Sequence, residues 1–67
     1  MTPQQIAEQL KALSVQMINL GTAMDYYGGM GTNMAKRGAE LISAGLVAEN
    51  WAEGIEAEIK EWQEDVR

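Results

Sequence analysis

The stretch Gly28-Gly29-Met30-Gly31-Thr32-Asn33, followed by Lys36 and Arg37, is where backbone N–H groups and cations of this chain could meet an anion. A helix N-terminus with free N–H groups suits that chemistry. The phosphate-binding patterns nevertheless fail in detail. A P-loop ends in Gly-Lys-Ser/Thr, which is absent, and a dinucleotide fingerprint starting at Gly29 needs glycine at 34, where Met34 stands. The stretch reads instead as a turn followed by a helix cap. Asp25, beside Tyr26 and Tyr27, is the carboxylate nearest an aromatic pair and reads as a solvated acid at a helix end. Ser14 and Ser43 have no activating partner, because the chain contains no histidine and no cysteine. The usual general base and the best nucleophile are therefore missing, and no enzymatic activity is expected. The same absences remove thiolate and imidazole metal ligands, including the Glu-x-x-His pairs of bundle di-metal sites. No run places acids at alternate positions ahead of a glycine, as a calcium loop requires. No cofactor or metal is expected.

Binding chemistry is better represented. The net charge is −5, and its distribution matters more than its sum. Residues 1–48 carry three acids and three bases, whereas residues 49–67 carry seven acids against Lys60 and Arg67. That sign opposes contact with phosphate backbones, so direct nucleic-acid binding is not expected. Glu49, Glu53 and Glu56 fall on one polar helix face. Glu61, Glu64 and Asp65 crowd a helix C-terminus, where each acid costs about 0.3–1 kcal/mol. Stability alone would not select this pattern; solubility or docking to a basic protein surface would. Tyr26, Met30 and Trp51 are the further candidate partner-binding residues, because Met and Trp favour adaptable or hot-spot contacts.

These residues must be positioned by helices. Thr2, Pro3 and Gln5 form a capping-box start. Ile6, Leu10, Leu13, Met17, Leu20, Met24 and Tyr27 then recur at alternating spacings of four and three, a heptad seam. Helix 1 is expected at about residues 3–27, ended by Gly28 in the left-handed conformation. A glycine-rich turn follows at 28–32, and Thr32 or Asn33 caps a second helix over about 33–64. The seam of helix 2 is Met34, Gly38, Leu41, Gly45, Ala48, Ala52, Ile55, Ile59, Trp62 and Val66. Ala44, Ala48 and Ala52, with Gly38 and Gly45, would let another helix approach closely. The alternative is a break at Gly45, with Asn50 capping a third short helix.

The expected fold is a single all-α domain, an antiparallel helical hairpin assembling as a helix-bundle homodimer. Sixty-seven residues without a disulfide make a marginal core. The end of helix 2 would also leave Trp51 and Trp62 overhanging helix 1. The dimer and core seam is Ile6, Leu10, Leu13, Met17, Leu20 and Met24 with Leu41, Ala48, Ala52, Ile55, Ile59 and Trp62. No run is long enough to span a membrane, and the N-terminus lacks the regions of a signal peptide, so a cytoplasmic location is expected. The expected partners are a second copy of the chain and another protein with a basic surface. The expected role is that of a small adaptor or inhibitor, of the kind found among phage and mobile-element accessory products that occlude a host protein. The alternative is an assembly subunit whose function is self-association.

Overall fold

The computed structural model describes the backbone of residues 1–65 and the side chains of residues 1–63. Val66, placed on the helix 2 seam, lies outside the described residues. The described residues form two helices, α1 (Pro3–Gly28) and α2 (Asn33–Asp65), packed against each other as a hairpin. The result is a rod with extents of 55 × 16 × 13 Å.

Local chemistry sets the helix ends. The Gln5 N–H donates to Thr2 Oγ1 (3.1 Å), and the Thr2 N–H donates to Gln5 Oε1 (2.9 Å). This reciprocal cap is worth about 1 kcal/mol, and Pro3 at the first helical position forfeits no hydrogen bond. At the other end Gly28 remains helical. The positive φ values fall at Gly29 (71°) and Gly31 (78°), where the chain turns back. The Gly29 N–H closes α1 by donating to the Asp25 carbonyl at 3.3 Å. Thr32 caps α2, its hydroxyl oxygen accepting from the Ala35 N–H at 3.1 Å. α2 then runs without a break through Gly45.

The helices meet through small residues. On α1 the buried positions are Ala7, Ser14 and Gly21, seven residues apart, and half-buried Gly28 continues the series. On α2 they are Ala35, Gly38, Gly45, Ala48 and Ala52. A methyl group on Gly38 would sit 2.6 Å from the Gly21 carbonyl oxygen and 2.9 Å from the Asp25 nitrogen; one on Gly45 would sit 2.8 Å from Ile18 Cγ1. One on Gly28 would sit 2.7 Å from the Ala35 nitrogen, so this glycine serves close packing and not the left-handed turn. Ser14 fits the same stripe because its hydroxyl donates to the Lys11 carbonyl of its own helix (2.8 Å), leaving no unmet polar atom.

Such close contact leaves no room between the helices for large side chains. Among the described residues no large side chain is fully buried. Leu10, Met17 and Met24 are half-buried beside the small stripe, while Ile6, Leu13, Leu20 and Tyr27 are exposed. The contact within the chain therefore runs one residue away from the large-apolar seam read on α1. On α2, Leu41, Ile55 and Ile59 are half-buried at the edge of the contact, and Met34 and Trp62 are exposed.

Candidate functional site

The register of the hairpin follows from its closest contacts. Gly21 lies opposite Gly38 and Ile42, and Gly45 lies opposite Ser14 and Ile18. Leu13 is therefore level with Ala48, Leu20 with Leu41, Ile6 with Ile55 and Tyr27 with Met34. Trp51 is level with Leu10 and does not overhang. Trp62 lies beyond the start of α1, where it lines an open groove of roughly 500 Å³ with Thr2, Pro3 and Ile59.

At 100° per residue, Ile6, Leu13, Leu20 and Tyr27 form a ridge along one flank of α1, about a quarter-turn from the buried stripe. Arg37, Ala44, Trp51 and Glu58 recur every seven residues along the same flank of α2. Together the two ridges bound a long apolar face, floored by half-buried Leu10, Met17, Met24, Leu41 and Ile55. Its large residues are wide open to solvent: Leu20 is 58%, Trp51 62% and Tyr27 80% exposed. Singly exposed leucines are ordinary; a contiguous apolar face of this length is not.

The opposite flank is acidic. Glu49 and Glu53 line a shallow groove with Lys11, Val15 and Ile18. Glu56 bonds Lys11 across the two helices, Oε1 to Nζ, at 2.6 Å. The pKa of Lys11 is raised above the ordinary lysine value, first by this hydrogen bond. Desolvation partly offsets it, and the charges of Glu56, Glu53 and Glu49 add to it. Glu56 is thus an interhelix tie as well as a member of the acidic face.

The third region is the loop end. The Tyr26 and Tyr27 rings meet edge to face at 5.0 Å, and Met30 is fully exposed at the tip. The candidate partner-binding residues therefore divide among three surfaces: Glu49, Glu53 and Glu56 on the acidic flank, Tyr26 and Met30 at the tip, and Trp51 on the apolar face. Among the described residues no cluster of three acids is placed to hold a metal ion, and no helix is long and apolar enough to cross a membrane.

The small stripe Ala7–Ser14–Gly21–Gly28 is the feature that reading by apolar bulk overlooks. Its signal is the seven-residue spacing of small side chains, running one position behind the large ones. The chain matches no protein-family model, no curated protein and no solved structure.

Proposed function

We propose that this chain is a protein-binding module that works as a homodimeric helical bundle, acting as a small adaptor or inhibitor without enzymatic chemistry of its own. The observation that carries this reading is the pairing of a core built from alanine and glycine with a full-length exposed apolar face. Burial of a large apolar side chain contributes about 1.5–3 kcal/mol, and among the described residues this hairpin on its own fully buries none. A protein surface must cover the face for the helices to be stable. Once it is covered, the acidic flank stays in solvent, free to meet a basic surface on another protein. A cytoplasmic setting and the absence of membrane and nucleic-acid contacts belong to the same proposal.

The test separates the two surfaces. Glu49→Lys with Glu53→Lys leaves the Lys11–Glu56 tie in place and should abolish capture of a basic partner, as should raised salt. Helicity and oligomeric mass should be unchanged. Capture by the double variant equal to wild type at low salt would show that the acidic flank is not the docking surface.

Tyr26 and Met30, exposed at the tip and outside the apolar face, favour a second reading. In it, dimers go on to assemble end to end, and self-association is the function. A mass that climbs beyond the dimer with concentration, and stops doing so in Tyr26→Ser with Met30→Ser, would support that reading over the first.

A further inference from the structure

We infer that the second copy covers the apolar face about a two-fold axis at the level of Leu13 and Ala48, with the two hairpin loops at opposite ends of the bundle. The inference rests on the homodimer reading and adds its geometry.

Area supports a second copy as the occupant. The large side chains of the two ridges and their ends expose on the order of 900 Å² per hairpin, against the ~800 Å² per partner of a standard interface. Charge agrees. Two chains of net charge −5 repel, but Lys11, Glu49, Glu53 and Glu56 all lie on the flank away from this face. Face-to-face pairing turns both acidic flanks outward, to opposite sides of the bundle.

The ridges then fix the orientation, because each is complementary to its own reverse. On α1, Ile6, Leu13 and Leu20 are symmetric about Leu13. On α2, Arg37, Ala44, Trp51 and Glu58 are symmetric about a point between Ala44 and Trp51, close to the level of Leu13. A two-fold axis there lays Leu13 on Leu13 of the second copy and Ile6 on its Leu20. It also seats Trp51 over the second copy's Ala44, large on small, and brings Arg37 beside its Glu58. Among the described residues Arg37 is held by an exposed local pair with Glu40 (2.9 Å), which leaves it able to turn. The other face-to-face arrangement, with both loops at one end, sets α1 against α2 of the second copy. By the hairpin register that would set Arg37 between Leu20 and Tyr27 and Glu58 just beyond Ile6, two charges beside an apolar ridge that carries no opposite charge.

The chain has no cysteine, so a single label at Met30→Cys, on the exposed tip, is clean. Pulsed electron spin resonance on the labelled dimer should give a tip-to-tip distance of about 50 Å, the axial separation expected from a rise of 1.5 Å per residue. A distance below about 30 Å, in a sample whose mass is dimeric, would overturn the orientation while leaving the homodimer reading standing. A monomeric mass with no dipolar coupling would overturn both. A second measurement uses the charge pair. Arg37→Glu should raise the dimer dissociation constant several-fold, and adding Glu58→Arg should restore it. A double variant weaker than either single one would contradict the pairing.

Discussion

On α1 two stripes run one residue apart, Ala7–Ser14–Gly21–Gly28 and Ile6–Leu13–Leu20–Tyr27, and the less hydrophobic one is buried. The difference between them is one of fit. Where backbones approach until a methyl group on Gly38 would lie 2.6 Å from a carbonyl oxygen, only small side chains can occupy the contact. The large stripe is displaced to the flank. Helix propensity, close packing and apolar burial are thereby separated in space. The hairpin is shaped by its small residues, and its large ones remain available to a second surface.

The largest effect is expected on the outer stripe. Leu13→Asp places a charge at the proposed two-fold axis, facing its own copy. Breaking a buried apolar contact with an unpaired charge belongs to the class of effects above about 4 kcal/mol. Helicity and dimeric mass should be lost together; circular dichroism at wild-type strength would show that this stripe covers nothing.

The inner stripe should respond next. Gly38→Ala gains up to about 1 kcal/mol in helix propensity but overpacks a contact already at its limit, typically costing 1–3 kcal/mol. Urea denaturation should therefore show net destabilisation, and retained or increased stability would mean that the helices separate easily. Gly54→Ala is the matched control, because a methyl group there meets nothing within 4 Å. It should stabilise the protein by roughly 0.5–1 kcal/mol, so the same substitution changes sign between two glycines of one helix.

The acidic flank should give the smallest effect. The tie to Glu56 raises the pKa of Lys11, so its contribution is present below the ordinary lysine pKa and fades as pH rises through the raised value. The melting temperature of wild type should slightly exceed that of Lys11→Met at neutral pH. The two should converge in strongly alkaline solution; a constant gap across that range would assign the effect to packing of the lysine stem.

How far these features can be read from sequence follows the range of the interactions involved. The capping box at Thr2–Gln5 and the turn glycines are local, so residue type and spacing express them directly. The α2 contact is legible too, because Gly38, Gly45, Ala48 and Ala52 combine the heptad phase with small size. On α1 these two cues part. The heptad phase of the large residues points to Leu13 and Leu20, and interhelix distance, which no single helix encodes, decides for Ser14 and Gly21. The same holds for Gly28, which has the composition of a helix terminator but is fixed by contact with Ala35 and Thr32. The Lys11–Glu56 tie depends on the rotation of each helix about its axis, so spacing within α2, which pairs Glu56 with Lys60, could not disclose it.

The exposed apolar face is proposed to be covered by a second copy of the chain. Sedimentation equilibrium, paired with thermal melting over a hundred-fold range of protein concentration, tests it most directly. Coverage by a second copy predicts a mass of twice 7.4 kDa and a melting temperature that rises with concentration, because folding and pairing are then one reaction. A fully helical species of 7.4 kDa, melting at the same temperature at every concentration, would contradict it.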